Sequence, residues 1–152
     1  MCLSLLRSLF CAKGGELPSP GNWIPWDNII IQDGKLTVIL PVGVKYWLCG
    51  VGESGSMDPV MDAGTMCLMF EVKDGTPVSA DDLIVGDIAV YRKPTEVNNF
   101  LIRHRIIGKG EDELGRYFTF RGDNNNSPDK FRIRDDMVRW VVAAMFYGKE
   151  ET

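Results

Sequence analysis

The 152 residues include a single histidine, His104, and only 4 cysteines: Cys2, Cys11, Cys49 and Cys67. Their spacing is irregular and contains no C-x-x-C. A zinc site would need scattered ligands, so neither a metal nor a cofactor is expected. A disulfide scaffold is not required either, because a chain of this length can build a core without one. The cysteines read as small apolar residues kept reduced. No stretch reaches the roughly 18 consecutive apolar residues that span a bilayer. Charge of either sign is not in large excess: 17 Lys and Arg face 21 Asp and Glu, a net −4, which argues against broad electrostatic binding to nucleic acid. Internal repeats and low-complexity segments are absent.

With 45% apolar and 25% charged residues, the composition is that of an ordinary globular chain of about one domain. The 16 glycines and 8 prolines favour short strands and many turns over long helices. Residues 1–27 read as an N-terminal segment and linker, and residues 28–152 as the domain. Within the first part, Met1 to Ala12 carries Leu3, Leu5, Leu6, Leu9 and Phe10 around a single Arg7. It predicts a short amphipathic helix docked on the domain, with peripheral membrane contact through residues 1–12 as the alternative. Lys13 to Gly21 reads as linker.

Strand signals dominate thereafter. Ile29-Ile30-Ile31, Asp33-Gly34 and Leu36 to Leu40 predict a hairpin, since Asp-Gly supplies two positive-φ positions of a type I′ turn. Pro41, Gly43 and Lys45 break the apolar run up to Val51 into strand, bend and strand. Further strands are predicted over Met66–Val72, Ile88–Arg92, Phe100–Ile107, Tyr117–Arg121 and Val138–Phe146. Only Ser79–Leu83 and Asp135–Trp140 carry weak helical patterns. The fold class expected is mainly β.

Three clusters hold residue types that belong together chemically. In Ser54-Gly55-Ser56-Met57-Asp58-Pro59, a serine beside a glycine sits at a sharp turn, where its hydroxyl is either a turn group or an exposed nucleophile. In Ile102-Arg103-His104-Arg105-Ile106-Ile107, alternation puts the two arginines on the face opposite His104. That ring is either a structural hydrogen-bonding group or a base, the one side chain suited to proton transfer near neutrality. Arg121-Gly122-Asp123-Asn124-Asn125-Asn126-Ser127-Pro128-Asp129 is a loop from which Asp123 and Asp129 project. Each is a solvated charge, a cap or the anion that orients a histidine. Calcium is disfavoured, because the loop lacks the EF-hand glycine and terminal glutamate. In order, the clusters supply nucleophile, base and orienter. Lys45, Lys73, Lys93 and Lys109 leave a serine–lysine pair as the mechanistic rival.

Taken together these boxes resemble the type I signal peptidase family. Ser54-Gly55-Ser56-Met57-Asp58-Pro59 is similar to its S-G-S-M-x-P box and Val85-Gly86-Asp87-Ile88-Ala89-Val90-Tyr91 to its V-G-D-I strand. Arg103-His104-Arg105-Ile106-Ile107 is similar to the H-R-V-I box and Arg121-Gly122-Asp123-Asn124-Asn125 with Asp129 to the K-G-D-N-N loop. The order holds over roughly residues 48–147. A histidine at 104, where bacterial members carry lysine, resembles the archaeal and endoplasmic-reticulum branch. The resemblance implies Ser56 as nucleophile, His104 as general base, Asp129 as third member and Asp123 as a supporting carboxylate. It implies Ser54, with the Ser56 backbone N–H, as the oxyanion donors. It also implies a β-barrel-ribbon catalytic domain, as in the LexA-type and UmuD-like proteins, and an extended polypeptide as substrate. Trp23 to Gly50, with two prolines, stands where anchored members have a membrane helix, so an unanchored relative, of phage or mobile-element type, is expected. The alternatives are an idle binding module on the same fold and a self-cleaving LexA-like regulator.

Overall fold

A computed structural model describes residues 18–94 and 100–148. The amphipathic helix expected over residues 1–12 lies outside the described residues.

The described residues form eight strands: β1 (Ile29–Gln32), β2 (Lys35–Val38), β3 (Tyr46–Gly50), β4 (Thr65–Glu71), β5 (Ile88–Arg92), β6 (Leu101–Asp112), β7 (Gly115–Arg121) and β8 (Val138–Tyr147). The hairpin β1–β2 stands as its own two-stranded sheet; the other strands form a six-stranded sheet in the order β3-β4-β8-β5-β6-β7. Every pairing is antiparallel. The fold is mainly β, as the density of short apolar runs implies.

Local chemistry explains the elements. Asp33 and Gly34 have φ of 50° and 73°, the two positive values that a type I′ turn demands, and Gln32 faces Lys35 across it. An isolated two-stranded hairpin is marginal in water. Here Asn28 ties its base, donating from Nδ2 to the Ile39 carbonyl at 2.9 Å. β5 is buried on both faces, which suits its unbroken Ile88-Ala89-Val90-Tyr91 run in the middle of the sheet.

Those two faces carry two cores. One collects Leu68, Phe70, Tyr91, Ile106, Phe118, Phe120 and Val141; the other collects Met57, Met61, Cys67, Met69, Ile88, Val90 and Val142. The sheet coils around the second. In a flat sheet, with strands about 4.8 Å apart, β6 would lie about 14 Å from β4 and about 19 Å from β3. Yet Arg103 on β6 reaches the sulfurs of Cys67 on β4, at 3.7 Å, and Cys49 on β3, at 3.1 Å.

The barrel part of the expectation is corrected, because the coiled sheet does not close. β3 and β7 remain its edges. The outer edge of β7 is occupied instead by the returning chain, with Phe118 and Ile133 exchanging backbone bonds of 2.8 and 3.0 Å. The helical patterns also yield. Asp135–Met137 is one 3₁₀ turn that runs straight into β8, where Val138, Val141 and Val142 prefer a pleated surface. Ser79–Leu83 is a turn closed by Ser79, whose backbone N and Oγ both donate to Asp82 Oδ2 at 2.8 Å. β6 runs on past Ile107 to Asp112 because its polar Lys109-Gly110-Glu111 stretch pairs with β7 at an exposed end of the sheet.

Asp87 fastens the segment before β1 to the domain. Its carboxylate is buried and accepts from Gly21 N at 2.7 Å, Trp23 Nε1 at 3.1 Å and Ile84 N at 2.8 Å. Trp23 and Ile24 then pack on the first core. Asp87→Ala leaves those donors unsatisfied, at about 1–3 kcal/mol for a buried group. We expect a lower urea midpoint at unchanged m value, the shift multiplied by m amounting to at least about 1 kcal/mol, checked by tryptophan fluorescence; an unchanged midpoint refutes this role.

Candidate active site

The three sequence clusters converge at one end of the coiled sheet. Ser56 lies in the tight turn after β3, His104 on β6 and Asp129 in the loop between β7 and β8. His104 Nδ1 is 2.7 Å from Asp129 Oδ2, and His104 Nε2 is 3.1 Å from Ser56 Oγ. The carboxylate fixes the polarity of this line. Having no proton to give, it accepts from Nδ1–H, which leaves Nε2 bare to accept from the Ser56 hydroxyl. Ser54 Oγ, 3.1 Å from Ser56 Oγ, is then free to donate to it.

Each member is held by backbone as well as side chain. His104 pairs with Ala89 in the β5–β6 register and is only 8% exposed. Asp129 is anchored by its N–H to the Phe120 carbonyl at 2.8 Å. The same loop clamps the serine turn: Asn124 N donates to the Ser56 carbonyl at 3.0 Å, and Asn124 Nδ2 donates to the Gly55 carbonyl at 2.9 Å. Gly122 makes that approach feasible, since a Cβ there would collide with the Ser56 carbonyl oxygen. Beneath the turn, Met57 and Met61 are buried in the second core.

Asp123 and Asp129, alternatives by sequence, face different partners. Asp123 grips Arg105 in a fork, Nε to Oδ1 at 2.7 Å and Nη2 to Oδ2 at 2.6 Å, while Arg105 Nη1 donates to the Gly86 carbonyl at 2.8 Å. Its bonds therefore brace the loop against β6, and none reaches His104. Tyr91 is a member that sequence reasoning missed. Its hydroxyl donates to Asp129 Oδ2 at 2.7 Å, so one carboxylate oxygen serves both phenol and imidazole. The signal was present, since Tyr91 closes the apolar β5 run and a buried tyrosine needs a partner for its hydroxyl.

Electrostatics follow from this geometry. Burial on its own would raise the Asp129 pKa, but the bonds from His104 and Tyr91 outweigh it and hold the carboxyl below the ordinary range. Burial first, and then the bond to Asp129, push the Tyr91 phenol far above its usual value, so it stays a donor. Of the lysines of the rival pair, Lys45 pairs with Glu71 and Lys109 donates to the Leu83 carbonyl. Among the described residues, no group of His, Cys, Asp and Glu could hold a metal ion.

The line opens into a cleft of about 680 Å³ bounded by Trp47, Val51, Met57, Met69, Phe100 and Arg103, among others. β7 covers β6 only from Arg105 onward, so among the described residues Leu101 to His104 pair with β5 alone and present an unpaired strand edge beside Ser56.

The chain is similar to a signal peptidase. Over 86 residues it is 29% identical to signal peptidase I W of Bacillus subtilis (strain 168), a match covering 57% of this chain and 41% of that protein. The match thus spans less than half of the relative's length. No family model matches the chain, and no significant match was found among solved structures. Among the described residues, no helix is long and apolar enough to cross a membrane.

Tyr91→Phe tests the shared oxygen. With one donor gone, the Asp129 carboxyl should rise towards the ordinary range, which a ¹³C titration reads. A depressed carboxyl pKa adds stability that is present above its unfolded value and lost as pH falls through the folded one. Weakening the depression should therefore move acid unfolding to higher pH, with about 1 kcal/mol lost at neutrality. An unmoved carboxyl contradicts the assignment.

Proposed function

We propose that the protein is a serine endopeptidase of the signal-peptidase type, in the histidine-bearing branch, working by acyl transfer. The observation that carries this reading is the unbroken hydrogen-bonded line from Ser56 through His104 to Asp129. In the proposed reaction, His104 Nε2 takes the Ser56 proton as Oγ bonds to a peptide carbonyl carbon. Asp129 holds the ring and stabilises its charged form. The tetrahedral intermediate collapses, the C–N bond breaks, and His104 returns the proton to the leaving amine. Water, deprotonated by the same ring, then cleaves the acyl-serine ester.

Ser54 is the proposed oxyanion donor, together with the Ser56 N–H. Its hydroxyl lies beside Oγ and swings to the carbonyl oxygen once that carbon is attached; removing such a donor typically costs about 10² to 10³ in rate. Asp123 supports the site by keeping Arg105 and the loop in register. The substrate is an extended polypeptide that adds as a strand to the free edge of Leu101 to His104, so that main-chain bonds supply affinity.

A fluorophosphonate tests the nucleophile without knowledge of the natural substrate. The reagent should add to Ser56, read by intact mass and peptide mapping, and His104→Ala should abolish the adduct. Asp129, held below the ordinary carboxylate range, stays ionised in mildly acid solution, so its own protonation should not limit labelling there. Absence of label on Ser56, or labelling indifferent to His104, overturns the proposal.

A further inference from the structure

Arg103 lines the cleft beside the reacting serine, yet no step of the mechanism uses it. Alternation along β6 turns it away from the His104 face, and the coil of the sheet brings that second face inward over Cys49 and Cys67. A guanidinium is always charged and carries five N–H donors in a fixed fork.

The partners of this fork are weak. Nη2 donates to Cys49 Sγ at 3.1 Å and Nη1 to Cys67 Sγ at 3.7 Å, while Nε is buried with no acceptor. Burial pushes the Cys67 thiol pKa up despite the opposing charge of Arg103, so this partner remains a neutral thiol. Four other arginines meet carboxylates: Arg105 with Asp123, Arg116 with Asp81 and Asp135, Arg132 and Arg134 with Asp112. Among the described residues no carboxylate reaches Arg103. A half-buried cation left with sulfur acceptors is costly until a counter-charge arrives. Trp47, Met57, Met69 and Val90 line the same cleft and lower the local dielectric, which strengthens any ion pair made there.

We propose that Arg103 forms an anion subsite that receives a carboxylate of the bound chain, an Asp or Glu side chain or a free C-terminus. The inference rests on the reading of the cleft as a peptide-binding site. The incoming carboxylate replaces the sulfurs at Nη1 and Nη2 with a bidentate pair, a geometry that guanidinium and carboxylate share. Arg103 also lies on the stretch of β6 whose edge is free, so a chain added there passes within its reach. Arg103 is then a specificity-determining residue, and the cleft prefers acidic over neutral sequences.

Competition with the fluorophosphonate tests this. The competitors are capped alanine octapeptides carrying Glu, Gln or Lys at one position at a time, and an all-alanine octapeptide with a free or amidated C-terminus. At one position Glu should protect Ser56 about 10-fold better than Gln, as expected for a charge-assisted bidentate bond. Lys should protect least, and Arg103→Gln should bring the Glu:Gln ratio to about 1. A gain confined to the free C-terminus identifies the terminal carboxylate as the ligand. Equal protection by all peptides overturns the inference, and so does a Glu preference that survives Arg103→Gln. If that variant does not fold, the Glu:Gln ratio of the native chain still decides.

Calorimetric titration of the same peptides into the Ser56→Ala chain reads the charge preference without acylation. A Glu preference there, with no label on native Ser56, sinks the peptidase reading alone. Labelling with no charge preference sinks the anion subsite alone. Neither labelling nor preference sinks both.

Discussion

One buried imidazole, gripped from both sides, is the constraint around which this end of the molecule is arranged. His104 comes from the first third of β6, Ser56 from a turn 48 residues earlier and Asp129 from a loop 25 residues later. No local propensity brings these groups together; the strand register does. Pairing of His104 with Ala89 sets the ring over the first core, and the loop that carries Asp129 is sewn to both Phe120 and Ser56. A one-residue slip of β6 would turn the ring to the opposite face and offer an arginine in its place.

The ionised carboxylate gives the line its direction. A neutral acid could share a proton with Nδ1 in either sense, whereas a carboxylate can only accept. Tyr91 reinforces that state from within the core, a polar group at the end of a strand otherwise chosen for apolar burial. Asp123 and Arg105 do comparable work one layer out, since their fork locks the loop to β6 without touching the ring. The three consecutive residues Arg103, His104 and Arg105 thus reach three surroundings: the cleft, the hydrogen-bonded line and the loop brace. Alternation separates the histidine from its neighbours, and the coil of the sheet separates the two arginines' environments.

Much of this was legible in the residues. Asp33-Gly34 announced its hairpin, and β5 matched its predicted span to the residue, because turn chemistry and unbroken apolar runs are local signals. Ser56, His104 and Asp129 were singled out by type and order. Their meeting is a tertiary fact that one sequence does not contain. What was not legible depended on long-range pairing. The second half of β6 is polar and reads as loop, and becomes strand only because β7 returns beside it. Asp135 to Trp140 reads as helical until β8 finds a place between β4 and β5. The open edges of the sheet, the hydroxyl of Tyr91 on Asp129 and the reach of Arg103 to two sulfurs all follow from the coil of the sheet, for which no residue pattern stands.

The ring itself offers the most direct test. With a single histidine in the chain, long-range ¹H–¹⁵N spectra contain one set of imidazole signals, and these report which nitrogen bears the proton. In the neutral ring the account predicts a proton on Nδ1 and a bare Nε2, with that preference lost in Asp129→Asn. A proton on Nε2 in the native protein would leave no acceptor for the Ser56 hydroxyl, and would contradict the polarity on which the proposed chemistry depends.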